Sequence, residues 1–435
     1  MNKILIIIII ISNTTLLYCQ INGYSPFNDL YDFYQNNNKF EIGTTAYSFY
    51  SSSSISSDFI QALYGKEYIN NELKSTNNPK SINTLGNQDF FNVYYYMKLN
   101  RFFGLENSGI RMGVFYKNHR DIRFTDDFYY LMFYGNKNFA GQTANLDNCG
   151  MNLLTTQGLR FGFFQKSSFN DQPFYYYAGL SLIKGQDYQS VYLHNSSIYT
   201  AETGEYIDVV LNANYHFMDT TLVNFEDING VGVAADFYFL FINEDKNYKI
   251  DITLADIGLM KWKNTSLSYR IDTTFRFEGL VIPNIFDFND TNYISVNSDS
   301  IINDFYNKLD TATLIKALPQ RINIRFSKDI IENKLSCSAG LNYIYQANQP
   351  LPYGWLGFNY NITDYLSTEL YNGYGGYGTY HLGVGLKLYS FNNKLKLRII
   401  SSDILGFIIP KYSFSQSVFF NLAFSFGNIN SIKSM

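Results

Sequence analysis

The sequence predicts an all-β protein, a transmembrane antiparallel β-barrel of about fourteen strands with short helices in its long loops. Three observations predict it: an aromatic-rich, charge-poor composition, apolar residues at alternate positions, and connections that alternate between short and long. Of the 435 residues, 18% are aromatic, 16% are charged and only 8 are proline. This composition excludes disordered, collagen-like and coiled-coil chains, and 3 cysteines are too few for a disulfide scaffold.

Apolar side chains alternate with polar or small ones in a series of segments along the chain. Because successive residues of a strand point to opposite faces, one face of each segment is apolar. The segments run for about ten residues, the length that a tilted strand needs to cross a bilayer. They begin at Phe91, Ile110, Val231, Tyr248, Leu335, Leu382, Leu395 and Val418.

Short polar turns and long connections alternate, as in transmembrane barrels with short periplasmic turns and longer outer loops. One strand on each side of every connection gives about fourteen strands, and an even number places both termini on the periplasmic side. The short turns are 104–108, 167–172, 243–247, 329–333, 361–364 and 390–393. The long connections are 51–88, 122–151, 186–229, 256–320, 346–354, 372–377 and 403–414.

A soluble protein with several sheets is the competing interpretation, because soluble sandwiches also alternate. Their outward faces are polar, however, and their turns show no regular change of length. The apolar face recurs along this whole chain, which favours the barrel. Lys and Arg are scattered singly and the net charge is −4, so no nucleic-acid partner is expected.

The first residues predict a secretory signal peptide and hence a location in the cell outer membrane. Residues 1–19 have a short basic start and an isoleucine-rich apolar run, and cleavage is expected after Cys19. A transmembrane anchor and a lipid-modified Cys19 are the alternatives. The rest of the chain divides into an N-terminal periplasmic or plug segment at 20–39, the barrel at 40–427 and a C-terminal tail at 428–435.

Two long connections contain the spacing of amphipathic helices. Phe124 to Tyr134, which begins with polar residues, predicts a short capped helix, and Ile301 to Leu318 predicts a longer one. Either helix can cap the barrel, plug it or bind a partner, and packing against the mouth of the barrel is the simplest expectation.

A set of charged residues is expected to face the lumen if the apolar positions face lipid. Basic residues outnumber acidic ones in this set, eight to two. They form either an ion-pair network that holds a plug, which is the simpler interpretation, or a passage or pocket for an anionic amphiphile. Asp256 is instead expected to fix a turn at a strand end, and Trp262 to anchor that turn at the membrane interface. The candidate lumen-lining residues are Lys98, Arg111, Lys117, Asp236, Lys249, Asp251, Arg321, Arg325, Lys396 and Arg398.

The sequence carries no recognisable motif for catalysis, a metal or a cofactor. The histidines match no metal-ligand spacing and no glycine-rich phosphate loop is present, so no enzymatic activity, metal or cofactor is expected. His381 near Ser367 or Asp364 would imitate a hydrolase pair, but no nucleophile motif accompanies it. Cys149 and Cys337 are expected to be free thiols or packed small residues.

Several segments of the second half of the chain occur in a characteristic order. Gly230–Asp236 and Ile252–Trp262 are followed by 318–319, 343–345, Ser402–Gly406 and Asn421–Gly427. In order and spacing they resemble an uncharacterised family of Bacteroidota outer-membrane β-barrels, distantly similar to long-chain fatty acid transporters and to barrels of type IX secretion and gliding. The resemblance implies the fold but no ligand or catalytic residue. The chain departs from the pattern at Ile404, where Asn is expected, and after Gly427.

Two functions are therefore expected for a monomeric barrel. It binds or passes small hydrophobic or amphiphilic compounds, or it is a structural or secretion-associated envelope protein with partner-docking loops and no transport activity. Its expected contacts are outer-membrane lipid and either a hydrophobic small molecule or envelope proteins. An apolar tunnel through the lumen would favour the first function, and a filled lumen with exposed apolar loops would favour the second.

Overall fold

The computed structural model describes residues 29–218, 225–263, 266–278, 310–311, 314–345, 348, 351–390 and 394–428. The predicted signal peptide at 1–19 and residues 429–435 of the predicted tail lie outside these ranges. The strands are β1 (Asn38–Ser52), β2 (Asn83–Phe102), β3 (Leu105–Phe124), β4 (Gln142–Asn145), β5 (Gly150–Phe169), β6 (Gln172–Leu193), β7 (Ser197–Thr200), β8 (Ile207–Met218), β9 (Gly230–Asn243), β10 (Tyr248–Trp262), β11 (Ser266–Phe277), β12 (Asp310–Thr311), β13 (Ile315–Ala317), β14 (Gln320–Ile331), β15 (Leu335–Tyr345), β16 (Leu351–Thr363), β17 (Leu366–Gly376), β18 (Tyr380–Ser390), β19 (Leu395–Ser401) and β20 (Ser415–Asn428). The helices are α1 (Asp29–Gln35), α2 (Ser57–Tyr64), α3 (Asn71–Ser75), α4 (Asp126–Tyr134) and α5 (Leu405–Ile408).

Fourteen of these strands form a closed antiparallel ring. Its order is β1–β2–β3–β5–β6–β9–β10–β14–β15–β16–β17–β18–β19–β20. The ring closes where β20 pairs with β1, with Ile42 opposite Phe424. Closure pairs every strand of the ring on both sides and leaves no free edge. The predicted antiparallel barrel of about fourteen strands is confirmed.

Connections of two to four residues join the strands at the end of the barrel where β1 begins and β20 ends, which we call the short-turn end. The connections at the opposite end, the long-connection end, are longer with one exception. The predicted long connection 372–377 is wrong, because β17 continues to Gly376 and only residues 377–379 join it to β18. Asn170 and Asp171 join β5 to β6 with φ angles of 50° and 61°. Two successive residues at positive φ are what a tight type I′ hairpin requires, and Asn and Asp tolerate that conformation.

The barrel wall is taller on one side than the sequence predicts. Strands β2, β3, β5 and β6 contain 20 to 22 residues, about twice the length needed to cross a bilayer. The first part of β6, Phe174–Gly185, pairs with β9, whereas its last part, Gln189–Leu193, pairs with β8. Strand β8 continues into a side sheet with β4, β7, β11 and β12. The extra strand length therefore carries a second sheet at the long-connection end.

The outer face of the ring is apolar and the inner face is polar and aromatic. Three buried clusters fill the lumen at successive levels. The plug cluster surrounds α1 near the short-turn end and includes Leu30, Phe33, Tyr96, Tyr175 and Tyr177. The central cluster includes Tyr47, Phe90, Phe115, Trp262, Trp355 and Tyr377. The cap cluster packs α2 and α4 onto the long-connection end and includes Tyr50, Phe59, Phe124, Tyr129 and Cys149.

The two predicted loop helices have different outcomes. Helix α4 confirms the first, and Thr125 caps it by accepting a hydrogen bond from the Phe128 N–H at 3.1 Å. The second prediction, 301–318, is wrong where the structure describes it: β12 and β13 replace the C-terminal part, and 301–309 lie outside the described ranges. The N–H of Trp262 donates to the Leu314 carbonyl at 2.8 Å, and Lys261 on β10 pairs with Ile315 on β13. Pairing with β10 thus outweighs the weak helical pattern.

No helix within the described ranges is long and apolar enough to cross a membrane.

Candidate functional site in the barrel lumen

Helix α1 lies inside the barrel at the short-turn end. Leu30 and Phe33 are its most buried side chains, with 1% and 0% of their surface exposed. The Phe33 ring stacks on Tyr96 of β2 at a centroid distance of 5.2 Å and meets the edge of Phe164 of β5 at 6.1 Å. The apolar face of a single short helix therefore closes this mouth of the lumen.

Two lysine side chains of the wall also contact α1 and the residue that follows it. Lys98 donates to the Tyr34 carbonyl at 3.2 Å and to the Asn36 carbonyl, and its Nζ lies 4.6 Å from the centroid of the Phe33 ring. Nζ of Lys249 lies 4.8 Å from the centroid of the Tyr31 ring. Two of the predicted lumen residues, on β2 and β10, thus contact the plug helix by cation–π interactions.

A charged layer spans the lumen above α1. Arg160 on β5 pairs with Asp236 on β9 at 2.9 Å and with Asp256 on β10 at 3.0 Å. Asp256 also pairs with Lys117 on β3 at 2.9 Å. Each of these side chains except Asp256 is buried, and opposite charges in contact offset the cost of removing them from water. The layer ties four strands together across the interior.

Asp256 reaches this layer because of an irregularity in β10. The pairing of β9 with β10 shifts register between Leu254 and Ile257, and Asp256 has a φ of 59°. A regular strand would point residue 256 outward with Leu254, whereas the bulge turns its carboxylate into the lumen. The prediction that Asp256 fixes a turn at a strand end is therefore wrong.

Trp262, the other residue of that prediction, also lies inside. It is 1% exposed and its ring stacks on Tyr188 at 5.3 Å. The expectation that it anchors the chain at the membrane interface is wrong. The alternation resumes after the bulge with Met260 and Trp262 facing inward, so the side chain fills the central cluster.

The remaining candidate residues also contact lumen groups. Arg111 donates to the Tyr96 phenol at 3.1 Å, and Arg321 donates to Gln88 at 2.8 Å and to the Tyr47 phenol at 3.0 Å. The ion pairs are Arg325 with Asp251, Lys396 with Glu41 at 3.0 Å, and Arg398 with Glu369 at 3.1 Å. All ten candidates thus have aromatic, hydrogen-bonding or ionic contacts inside the barrel.

Sequence reasoning missed the acidic partners of these bases. Glu41 and Glu369 are 0% and 6% exposed, and Glu369 also pairs with Lys387 at 2.8 Å. Glu41 stands between Phe40 and Ile42, and Glu369 precedes the outward Leu370, so the same alternation would have placed both inside. The expected excess of eight basic over two acidic residues is therefore not found in the lumen, because acidic residues outside that set, such as Glu41 and Glu369, pair with its basic ones.

His381 makes a buried pair at the long-connection end. Its Nδ1 lies 2.6 Å from Oδ1 of Asp403, and its Nε2 lies 3.0 Å from the Gly375 carbonyl. Neither Ser367 nor Asp364 is a neighbour of His381, because both lie near the short-turn end. Ser367 donates there to Asn361 at 2.8 Å, and Asp364 belongs to the turn between β16 and β17. The buried hydroxyl of Ser415 lies 3.5 Å from the same Nδ1.

A polar cavity of about 540 Å³ opens beside α1 at the short-turn end. Tyr31 and Asp32 line it from the helix, and burial raises the pKa of Tyr31 to about 12. The wall contributes basic and acidic residues and four aromatic side chains. Its lining includes Lys249, Arg325, Lys387, Glu369, Trp355 and Tyr371.

Trp355, which lines this cavity, has a buried indole N–H close to Gly340. Its side chain is 4% exposed and its Nε1 has no hydrogen-bond partner among the described residues. Buried indole N–H groups are normally paired with protein, water or ligand. No cluster of three or more His, Cys, Asp or Glu side chains suited to a metal ion occurs in the described part of the chain. The cavity therefore offers charged groups of both signs and aromatic faces.

These features define the class of the protein: a closed fourteen-stranded β-barrel of the outer-membrane type, with a helix, aromatic side chains and ion pairs filling its lumen. Residues 34–393 match the model described as Family of unknown function (DUF5723), and the chain belongs to that family. The resemblance to an outer-membrane barrel family of unknown function is confirmed. None of the curated proteins compared with the chain matches it.

Several solved barrels are similar to the chain at low identity. The TodX deltaS2S3 mutant monoaromatic hydrocarbon channel is 9% identical, with a TM-score of 0.44 over 94% of this chain and 95% of that one. The Pseudomonas putida toluene transporter TodX is 10% identical, with a TM-score of 0.40 over 94% and 93% of the two chains. Outer membrane phospholipase A from Escherichia coli is 9% identical, with a TM-score of 0.26 over 88% and 92%. These similarities concern the barrel architecture alone.

Proposed function

We propose that this protein is an outer-membrane barrel, closed at rest, that binds a small amphiphilic compound beside α1 and passes it when α1 withdraws. Its outward apolar face supports the membrane location, because Leu180 and Leu386 are 66% and 49% exposed and would contact lipid tails. Lysines and polar side chains face inward, as in barrels that enclose a lumen.

The cavity beside α1 carries the proposal. It is lined by both basic and acidic side chains, and Trp355 and Tyr371 supply apolar faces. The basic residues are Lys249, Arg325, Lys334 and Lys387, and the acidic ones are Asp32, Asp329, Asp364 and Glu369. Their combination suits a molecule with a charged or polar head and an apolar body, since the head gains charged hydrogen bonds and the body leaves water.

Passage requires α1 to withdraw and the side chains of the central cluster to rearrange, because the plug and central clusters both fill the lumen of the described structure. The described contacts of α1 with the wall are noncovalent: ring stacking at Phe33, cation–π contacts of Lys98 and Lys249, and a hydrogen bond of 3.3 Å from Gln35 to the Tyr175 phenol. Contacts of this kind break and re-form without chemistry, so the helix suits a movable gate.

Liposome uptake of a labelled fatty acid tests this function. Vesicles that contain the protein should take up the label faster than empty vesicles, and Phe33→Ala, which removes the ring stacked on Tyr96, should increase the rate further. Arg325→Ala should lower binding of the label, whereas Arg101→Ala, whose side chain is 69% exposed, serves as the matched control. Equal uptake by empty vesicles, the wild type and Phe33→Ala would overturn the proposal.

A second candidate function, partner docking at the outer surface, is favoured by the exposed residues of the connection from β19 to β20. Ile408 and Tyr412 are 67% and 80% exposed there, and α2 beside it exposes Leu63 and Tyr64. A filled lumen with exposed apolar loops favours docking over an open conduit. A photo-crosslinking residue in place of Ile408 should give a defined adduct with a partner in intact cells. The same crosslinker in place of the exposed Glu202 is the control and should give no such adduct. Identical adducts from the two positions would exclude this candidate function.

A further inference from the structure

A roofed apolar groove of about 1050 Å³ lies on the outside of the wall, across β2, β3, β5, β6, β9 and β10. Its upper edge is a row in which Val231 on β9 stands between Lys184 on β6 and Lys261 on β10. The next row towards the short-turn end is Leu182, Val233 and Leu259. These three side chains are 59%, 59% and 56% exposed.

A ledge covers the groove from the long-connection end. Phe225 and Ile228, which precede β9, and Ile315 on β13 all line it. Nζ of Lys184 donates to the Phe225 carbonyl at 2.6 Å, and Gln157 donates to the same carbonyl at 3.3 Å. These two hydrogen bonds fix the ledge to the wall. The ledge encloses one side of the groove, unlike the open lipid-facing surface around it.

The groove separates charge from apolar surface along the barrel axis. Lys184 and Lys261 flank its upper row, the side chains below them are aliphatic, and none of the described lining residues is acidic. Lysine side chains at a membrane boundary extend towards the headgroups and attract anionic lipids. Such a surface is complementary to an acyl chain that ends in a phosphate-bearing headgroup.

We propose that this groove is a binding site for a phosphate-bearing acylated glycolipid of the outer leaflet, of the lipid A type, with its chains on Leu182, Val233 and Leu259 and its phosphate at Lys184 and Lys261. The proposal rests on the membrane location given under the proposed function. It is independent of transport. The groove belongs to the outer leaflet because it lies towards the long connections, and short turns are periplasmic in such barrels.

Native mass spectrometry of the detergent-purified protein tests the site with three added lipids: lipid A, the same lipid without its phosphates, and phosphatidylglycerol. Lipid A should be retained at least about tenfold better than either other lipid. Lys184→Gln with Lys261→Gln should reduce its retention about tenfold or more. The matched control, Lys66→Gln with Lys137→Gln, changes two exposed lysines of the same end outside the groove and should have no effect.

Val233→Trp tests the apolar part separately, because it fills the groove and leaves both lysines in place. It should also lower lipid A retention, and unheated electrophoresis should show that each variant keeps its folded mobility. Equal retention of the dephosphorylated lipid, preference for phosphatidylglycerol, or an equal loss in the control pair would overturn the site. Because no uptake is measured, failure of the transport proposal would leave these results unchanged.

Discussion

Arg321 on β14 donates a hydrogen bond of 3.0 Å to the phenol of Tyr47 on β1, although these two strands lie opposite each other in the ring. The same guanidinium donates to Gln88 on β2 at 2.8 Å. A side chain that reaches the far wall bridges the lumen instead of lining an open pore. The interior at this level is therefore part of the protein's structure.

Replacement of Arg321 by Met should destabilise the barrel by about 2–4 kcal/mol, because the change leaves buried hydrogen-bonding groups of opposite walls without their charged partner. Urea unfolding of the refolded protein, followed by tryptophan fluorescence, measures the change. Arg101→Met is the control, because Arg101 and Glu106 form an exposed pair and the cost should stay within about 0.5 kcal/mol. Equal midpoints for the two variants would contradict the structural role of the bridge.

Substitutions at Asp256 should separate its charge from its backbone conformation. Asp256→Gly and Asp256→Ala both remove the partner of Lys117 and Arg160, so both should be less stable than the wild type. The Ala variant should be less stable than the Gly variant by about 1 kcal/mol, because a residue with a β-carbon is strained at the positive φ of 59°. Urea midpoints compare the three proteins, and an Ala variant as stable as Gly would show that the bulge relaxes.

Much of the barrel could be predicted because alternation is a local property of the sequence. The outward register at Val231 and Val233, for example, follows from the period of two alone, and turn residues such as Asn170 and Asp171 mark the strand ends. Strand length on the tall side could not be predicted in this way. Beyond the membrane both faces of β6 meet other protein groups, and the apolar signal fades.

The lumen site was less predictable because it depends on contacts between distant strands. Glu41 and Glu369 obey the alternation and were within reach of sequence reasoning. Asp256 was not, because a single inserted residue reverses the face of its side chain and nothing in the local pattern marks the bulge. The position of α1 likewise depends on complementary walls far away in sequence, such as Tyr96 and Phe164.

Loss of the cap on α4 should expose Cys149 to labelling. Burial raises the pKa of this thiol, so its reactive thiolate is scarcer at pH 7 than in an unfolded chain and labelling should quicken as the pH rises. Thr125 caps α4, and its hydroxyl lies 3.7 Å from the Cys149 sulfur. Thr125→Ala should therefore weaken the cap cluster by about 1 kcal/mol and speed maleimide labelling about fivefold.

Cys149 must be the only cysteine in that experiment, so Cys19 and Cys337 are replaced by Ser in every variant. Thr143→Ala is the control, because it makes the same chemical change at an exposed position of β4. Labelling that is equally fast in the Thr125 and Thr143 variants would show that the cap cluster does not protect the thiol.

The membrane position of the barrel predicts that an arginine on the outer face of a strand destabilises the protein by an amount that depends on its depth in the bilayer. Leu386 and Tyr380 are 49% and 50% exposed on the outer face of β18, but Leu386 lies near its middle and Tyr380 at its end. Leu386→Arg should cost about 2–4 kcal/mol in a bilayer and Tyr380→Arg at most about 1 kcal/mol, because a charge is most costly at the bilayer midplane. Urea titrations in lipid vesicles measure both values. Because the two positions are equally exposed, surface accessibility cannot produce the difference, and equal costs would place β18 outside the membrane.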